Sequence, residues 1–169
     1  EVFGHLIDLI KEFWESLLPF IIVPEYEFGV KLRLGKFKER IDCGLVWKIP
    51  FVDQVLLTHN TITTLNLKSQ SLTTKDGKDV VISGIVKYKV SNPKTFLLEV
   101  NDAVDAINDI TQGKIKELVI GKNWDEVRIM DDKNIKELVD SETKSWGIKI
   151  YYITITDLAL IRSIRLIQQ

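Results

Sequence analysis

The chain has 169 residues, of which 45% are hydrophobic, and this suits one folded domain and excludes global disorder. Its 23 basic and 24 acidic residues leave a formal net charge of −1, which argues against a nucleic-acid partner because binding phosphates normally requires a basic surplus. A single cysteine excludes an internal disulfide, and two histidines without a second thiol offer too few ligands for a tetrahedral zinc site.

No stretch of the chain is apolar for long enough to cross a bilayer as a helix. Such a helix needs roughly 20 consecutive apolar residues, whereas the longest apolar stretch, Leu17 to Val23, is short and contains Pro19. The chain begins at Glu1 rather than at a methionine, so we treat it as an excised or processed piece. A spanning segment upstream that was removed stays open as an alternative.

The first residues, 3–18, predict an amphipathic helix. Apolar side chains recur there every three or four residues, while His5, Asp8 and Lys11 lie on the other side. Pro19 lacks the amide hydrogen that a helix interior requires, so it predicts the end of this helix. The apolar side consists of Phe3, Leu6, Ile7, Ile10, Phe13, Trp14, Leu17 and Leu18.

From residue 20 to residue 90 the pattern changes to strands. Apolar residues up to Leu34 alternate with basic ones, and Gly35 predicts a turn. Lys75-Asp76-Gly77 predicts a tight hairpin before a long strand at 78–90, because Asp-Gly tolerates the positive φ that such turns require. Short sequential strands joined by tight turns indicate a curved antiparallel sheet.

After these strands the pattern predicts three helices and one further strand. Asn101 or Asp102 would cap the first helix. Asn123 and Glu126 have the spacing of a capping box for the second, and Asp131 would cap the third. Their predicted buried positions include Val104, Ile107, Ile115, Leu118, Ile135, Leu138, Val139 and Trp146. Alternation then resumes from Ile148 to Asp157, so the chain returns to the sheet.

The order of strands, helices and a strand is typical of an α+β fold, with helices packed against a curved antiparallel sheet. We expect three parts. Residues 1–24 form an amphipathic membrane-associating segment, residues 25–158 form the α+β domain, and residues 159–169 begin a C-terminal helix, since apolar residues there keep helical spacing.

Several short motifs in this order resemble the SPFH or Band 7 domain of stomatins, prohibitins, flotillins and the bacterial regulators of the membrane protease FtsH. The resemblance covers roughly residues 22–158. No single motif is diagnostic, and their order and spacing carry the resemblance. The motifs are Glu27-Phe28-Gly29-Val30, Arg33-Leu34-Gly35-Lys36, Gly44-Leu45, Lys48-Ile49-Pro50-Phe51-Val52-Asp53, Thr73-Thr74-Lys75-Asp76-Gly77, Val86-Lys87-Tyr88-Lys89-Val90, Asn92-Pro93, Ile120-Gly121, Trp124-Asp125-Glu126-Val127 and Trp146-Gly147-Ile148.

The resemblance implies a non-enzymatic, membrane-associated scaffold whose copies assemble into a homo-oligomeric ring or cage. Such a scaffold would organise a membrane microdomain or client membrane proteins, with the cytoplasmic face favoured and a coiled coil following the domain. The alternative that it implies is an adaptor that regulates a membrane protease or an ion channel. No cofactor is expected for either role.

The predicted partner of the leading segment is membrane lipid. Burying one large apolar side chain contributes about 1.5–3 kcal/mol, so several together would hold a peripheral protein on a bilayer. The alternative is that the same side chains pack on the domain or on a neighbouring subunit, because the acidic side of the helix would be repelled by anionic lipid. The predicted membrane-contacting residues are Phe3, Ile10, Phe13, Trp14, Leu17, Leu18, Phe20, Ile21 and Ile22.

Charged residues supply candidates for contacts between subunits, since complementary patches on neighbouring copies would set the register of a ring. The alternative is an ordinary solvated surface. The candidates are Glu12, Glu15, Lys31, Arg33, Lys36, Arg162 and Arg165. Cys43 is a candidate for lipidation because thiols near membranes are acylated, although a small turn or core residue is the commoner role.

Nothing in the sequence forms a catalytic or metal-binding constellation. His5 and His59 are separated by a whole block of strands and have no paired ligands nearby. Asp102, Asp105 and Asp109 have helical spacing, and Asp131 and Asp132 adjoin a helix start, where the helix dipole favours negative charge. We interpret these carboxylates as structural rather than as an acid and base pair. We therefore predict no metal, no cofactor and no enzymatic activity.

Overall fold

The computed structural model describes residues 18–161, and these form eight β-strands, four α-helices and one short 3-10 helix. The strands are β1 (Phe20–Val23), β2 (Glu27–Arg33), β3 (Lys36–Ile41), β4 (Gly44–Trp47), β5 (Asp53–His59), β6 (Thr63–Thr73), β7 (Asp79–Val90) and β8 (Ile148–Leu160). The helices are α1 (Pro93–Leu98), α2 (Ala103–Ile120), α3 (Trp124–Arg128) and α4 (Asp132–Thr143), followed by the 3-10 helix Lys144–Trp146.

All strand pairs are antiparallel, and the α+β class is confirmed. The strands divide among three sheets, with the orders β1-β4, β3-β2-β5 and β6-β7-β8, rather than forming the single curved sheet that we predicted. Hydrophobic alternation shows which strands exist but not which ones share a sheet, and this explains the difference.

The main core lies between the third sheet and helices α2 and α4. Large apolar side chains from β7 and β8 meet those of the two helices there and are almost completely removed from water. Full burial of each such side chain contributes about 1.5–3 kcal/mol, so this layer supplies most of the stability. The central residues are Ile82, Val86, Ile107, Ile115, Ile135, Val139, Ile150 and Ile153.

The turn predicted at residues 75–77 is confirmed and ties the third sheet to helix α3. Gly77 has a φ of +74°, which glycine adopts without strain. Asp76 Oδ1 accepts hydrogen bonds from Thr74 Oγ1 at 2.6 Å and from the Trp124 amide at 3.1 Å. The pKa of Asp76 is lowered to about 2, first by the hydrogen bond from Thr74, then by the ion pair with Lys78, and also by the bond from the Trp124 amide.

The predicted helix starts are confirmed, although Asp102 makes no capping side-chain hydrogen bond, and Ile107, Ile115, Ile135 and Val139 are buried as predicted. Asp131 caps α4 by accepting from the Lys133 amide at 3.0 Å. Val104 and Leu138, which we expected inside, are exposed. In α2 the buried stripe instead includes Thr111, whose hydroxyl donates to a backbone carbonyl of its own helix and so needs no other partner. A polar residue that satisfies itself in this way is not visible in a hydrophobic pattern.

Strand β2 is buried on both faces, which its alternating sequence did not predict. Val30 and Leu32 face one side, and the opposite side carries Gly29 and Lys31, which are also buried. A side chain at Gly29 would place its Cβ 1.9 Å from the Leu56 carbonyl oxygen of β5, so only glycine fits there.

The domain boundaries move at both ends. Residues 20–23, which we predicted in the leading segment, form β1 and belong to the fold because they pair with β4. Strand β8 continues to Leu160, two residues into the predicted C-terminal helix, because residues 159 and 160 pair with β7. The rest of the predicted leading helix and of the C-terminal helix lies outside the described residues.

Candidate membrane-contacting surface

The two-stranded sheet β1-β4 exposes a wholly apolar face. Phe20 lies opposite Trp47 and Ile22 lies opposite Leu45, so these four side chains share one face. Their exposure is high for large apolar residues, reaching 71% at Ile22 and 65% at Trp47. The Phe20 and Trp47 rings pack edge to face with centroids 6.1 Å apart. This face would ordinarily be covered by another element or by a partner.

The β2-β3 turn adds another exposed apolar residue in an unusual conformation. Leu34 and Gly35 connect the paired residues Arg33 and Lys36, and both have positive φ, 51° and 77°. A two-residue hairpin of this kind favours Asn-Gly, because a branched side chain is disfavoured in the left-handed region. Leu34 nevertheless occupies the position and is 77% exposed.

The loop between β4 and β5 repeats this arrangement. The Val52 amide donates to the Ile49 carbonyl at 3.2 Å, which closes a turn with Pro50 and Phe51 at its centre. Phe51 has a φ of +64°, where glycine or asparagine is the usual occupant after a proline. Phe51 is 76% exposed, so it too is held in a strained conformation with its ring in solvent.

The turns and the sheet adjoin one another. The Leu34 amide donates to the Val52 carbonyl at 2.9 Å, which joins the two turns. Lys48 lines both the hollow beside Phe51 and the hollow beside Phe20, so the turns continue into the exposed face of the sheet. We call this surface the apolar platform, and it comprises Leu18, Phe20, Ile22, Leu34, Leu45, Trp47, Ile49 and Phe51.

A buried ion pair holds the loop of the platform in place. Arg33 donates to both oxygens of Asp53, at 2.7 and 3.0 Å, and the Asp53 side chain has no solvent exposure. One Asp53 oxygen also accepts from the Ile49 amide at 2.9 Å. The hydrogen bonds from Arg33 have the largest effect on the pKa of Asp53, followed by the bond from the Ile49 amide, and the pKa is lowered to about 2. The carboxylate therefore anchors the loop that carries Phe51.

Lys31 connects β4 to β2 from beneath. Its Nζ donates to the Trp47 carbonyl at 3.1 Å and forms an ion pair with Glu39, and its side chain is only 9% exposed. The hydrogen bond and charge of Lys31 lower the pKa of Glu39. Lys31 thus links the β1-β4 sheet to β2, and the exposed face of that sheet carries part of the platform.

The predicted membrane-contacting residues fall into two groups. Leu18, Phe20 and Ile22 lie on the platform, whereas Ile21 is half-buried on the opposite face of β1. The remaining ones, Phe3, Ile10, Phe13, Trp14 and Leu17, lie outside the described residues.

The predicted subunit-contact residues are not brought together as one patch. Lys31 and Arg33 have intrachain partners, and the nearly buried Lys31 offers a neighbouring copy little surface. Lys36 is exposed beside the Leu34 turn. Cys43 is exposed between β3 and β4. The other candidates, Glu12, Glu15, Arg162 and Arg165, lie outside the described part of the chain.

Sequence reasoning missed most of the platform. Leu34, Leu45, Trp47, Ile49 and Phe51 were treated as parts of strands or of a motif. The signal that could have found two of them is chemical, because Leu-Gly and Pro-Phe place a large apolar residue where a tight turn favours asparagine or glycine.

The described residues contain neither a metal-binding cluster nor a membrane-spanning helix. Among residues 18–161, no group of three or more His, Cys, Asp or Glu side chains is placed to hold a metal ion. Over the same residues, no helix combines the length and the apolar character that spanning a bilayer requires.

Comparison with known proteins identifies the fold. Residues 21–165 match the family described as the SPFH domain / Band 7 family, which is most of the chain. The chain belongs to this family. An uncharacterised protein of Archaeoglobus fulgidus is 33% identical over 147 residues. A stomatin homolog of Pyrococcus horikoshii is 28% identical over 142 residues, and Protein HflK of Vibrio cholerae is 30% identical over 136 residues.

These alignments cover 85%, 82% and 80% of this SPFH chain, in the order given. They cover 59%, 53% and 34% of the relatives' own lengths. The match thus concerns the SPFH domain, and each relative contains much that has no counterpart here.

Proposed function

We propose that this chain is a non-enzymatic scaffold that lies on a membrane through its apolar platform. The observation that carries the proposal is the placement of Leu34 and Phe51. Holding a bulky residue in the left-handed region costs on the order of 1–3 kcal/mol, and neither side chain recovers this by packing against the other residues between 18 and 161. A bilayer would recover it, because each side chain would gain the transfer free energy of leaving water.

The composition of the platform also favours lipid over water. Trp47 and Phe20 are the aromatic types that lie at membrane interfaces, and the aliphatic residues beside them would enter the acyl boundary. Several partly exposed side chains of this size together supply several kcal/mol, which suits reversible peripheral attachment. Membership of the SPFH / Band 7 family also supports this proposal, because the motifs shared with that family imply a membrane-associated protein.

The proposal extends to assembly and location. Copies associate into a homo-oligomeric ring or cage at the cytoplasmic face of the membrane and there organise a microdomain or client proteins. Glu12, Glu15, Lys36, Arg162 and Arg165 remain the proposed subunit contacts. The leading apolar residues Phe3, Ile10, Phe13, Trp14 and Leu17 remain proposed lipid contacts, and Cys43 remains a proposed lipidation site.

A second proposed function keeps the same attachment but gives the chain an adaptor role toward a membrane protease or a channel. It is supported by the presence of bacterial protease regulators in the family that the motifs resemble. Crosslinking in intact cells followed by affinity capture separates the two, because an adaptor recovers one dominant client whereas a lipid organiser recovers mainly other copies of itself.

Liposome flotation of the full chain tests the attachment. The variant Trp47→Ser with Phe51→Ser removes two exposed rings, and we expect it to bind vesicles at least about tenfold more weakly than the wild type. The matched control is Ile62→Ser with Ile129→Ser, which removes two exposed apolar residues outside the platform. The control should float like the wild type.

Two results would overturn the proposal. If the wild-type chain fails to float, it is not membrane-associated through any of these residues. If the Trp47 and Phe51 variant floats like the control while its assembly becomes smaller by light scattering without vesicles, the platform is a contact between copies rather than a lipid surface.

A further inference from the structure

The charge around the apolar platform is distributed differently from that of the rest of the chain. Residues 31–53, which contain both turns of the platform, include six basic and three acidic side chains, a formal charge of +3. The whole chain has a net charge of −1, so the residues outside this stretch carry −4. The basic excess is therefore local to the platform.

The three carboxylates of this stretch all have basic partners within it. Asp53 pairs with Arg33, Glu39 with Lys31, and Asp42 with Arg40 at 3.1 Å. The other basic residues of the stretch are Lys36, Lys38 and Lys48, of which Lys36 and Lys38 are exposed on the edge strand β3.

These lysines border the apolar residues. Lys36 directly follows the Leu34-Gly35 turn and is the cross-strand neighbour of Arg33. Lys48 directly follows Trp47 and lines both the hollow beside Phe51 and the hollow beside Phe20. Lys38 lies farther along the same edge strand, β3, and is exposed. An apolar centre with lysines at its rim is the arrangement that suits a bilayer with negative headgroups.

We infer that the platform selects bilayers whose headgroups carry net negative charge. This rests on the proposed function, because it takes the bilayer as the occupant and names the headgroup. The lysine ammonium groups would lie at headgroup level when the turns enter the acyl boundary, and each lysine near an anionic surface strengthens binding about fivefold. The preference is assigned to this rim rather than to residues 1–17, whose sequence has four acidic residues and one lysine.

Vesicle binding of the full chain tests the inference. One set of vesicles is pure phosphatidylcholine, and the other is half phosphatidylcholine and half phosphatidylglycerol. We expect the wild type to bind the anionic vesicles at least about tenfold more tightly at low salt, and we expect this ratio to shrink at high salt, where charges are screened.

Charge-neutral variants locate the preference. Lys36→Gln with Lys38→Gln should reduce affinity for the anionic vesicles by roughly twenty-fivefold and leave binding to phosphatidylcholine unchanged. The control is Lys116→Gln with Lys133→Gln, which makes the same charge change at exposed sites on α2 and α4. The control should keep the wild-type preference.

The outcomes separate this inference from the proposed function. Equal binding to both vesicle types, unchanged by the Lys36 and Lys38 substitutions, overturns the headgroup preference and leaves attachment standing. A preference that survives these substitutions overturns the assignment to the rim. Failure of the wild type to bind either vesicle overturns the proposed function, and the inference with it.

Discussion

At the scale of single residues, the most informative feature is the pair of large apolar side chains with left-handed backbones. Leu34 and Phe51 lie in neighbouring turns that are joined by a backbone hydrogen bond, and both side chains point into solvent. Residues in this region cost on the order of 1–3 kcal/mol and persist only where the surroundings hold them. At both positions stability alone would favour asparagine or glycine, so a role outside the isolated fold explains them better.

Replacing Leu34 by asparagine should separate stability from attachment. Leu34→Asn creates the Asn-Gly pair that a two-residue hairpin favours, and little apolar burial is lost because the leucine is 77% exposed. We expect a gain of about 0.5–1 kcal/mol in the free energy of unfolding by urea denaturation, together with weaker vesicle binding.

The control for this variant is Ile129→Asn, which removes an apolar side chain that is also 77% exposed but lies at the end of α3. It should leave vesicle binding unchanged and bring no gain in stability. A Leu34→Asn protein that is less stable than the wild type, with unchanged vesicle binding, would contradict the interpretation of this turn.

The anchoring carboxylate under the loop makes a prediction about pH. The pKa of Asp53 is about 2 in the folded chain, below the value of about 3.9 for an unfolded aspartate. Its contribution to stability is therefore present above about pH 4 and is lost as the pH falls toward about 2. Asp53→Asn should be less stable near neutral pH, and its stability should fall less steeply over this acid range.

Urea denaturation at a series of pH values measures this difference. The matched substitution Asp42→Asn breaks an ion pair whose carboxylate is 70% exposed, and a pair in solvent contributes little. It should therefore follow the wild-type curve. If Asp53→Asn also has the wild-type slope between about pH 4 and pH 2, the Arg33 pair is not what holds this loop.

At the scale of elements, the β1-β4 sheet depends on the strand beneath it. It is short, one face is exposed, and a two-stranded sheet alone is marginal in water. Among the described residues, its fixed points include the hydrogen bond from Lys31 to the Trp47 carbonyl. The orientation of the platform therefore depends on a lysine that the sequence pattern placed on an outer face.

Removing the Lys31 ammonium group should loosen this sheet first. Lys31→Met keeps the aliphatic volume but removes the donor to Trp47, so we expect a loss of about 1–3 kcal/mol in stability. Amide hydrogen exchange should accelerate in β1 and β4 before it changes in β7. Lys87→Met, at an exposed position of β7, is the control and should leave exchange in β1 and β4 unchanged. Equal acceleration in every strand would show that Lys31 supports the whole fold rather than this sheet.

Elements with a local chemical signal were predictable, and those that depend on long-range packing were not. The turn at Gly77 was predictable because a positive φ favours glycine. The cap at Asp131 was predictable because an unpaired amide at a helix start favours a side chain that accepts a hydrogen bond. The burial of Lys31 was missed because its ammonium group contacts the Trp47 carbonyl of another sheet and Glu39, and period-2 alternation does not show what lies opposite a strand face. For the same reason Trp47 was not recognised as part of a surface.

At the scale of the whole molecule, the core and the platform are separate. The β6-β7-β8 sheet with α2 and α4 holds most of the buried apolar residues, whereas the exposed apolar residues of the platform lie on or beside the first five strands. This separation suits a scaffold, because substitutions in the attachment surface then leave the core of the domain folded. It follows that substitutions in the platform should alter membrane binding more than they alter stability.

The depth of the platform in a bilayer is the quantity that tests the account most directly. In a Cys43→Ser background, nitroxide labels on Phe51→Cys and Ile129→Cys compare two positions of nearly equal exposure, 76% and 77%. On vesicles containing phosphatidylglycerol, the label at position 51 should collide more with oxygen and less with a polar nickel chelate, while the label at 129 should keep its aqueous values. A vesicle-bound protein whose label at 51 remains as accessible to the nickel chelate as the label at 129 would contradict the account.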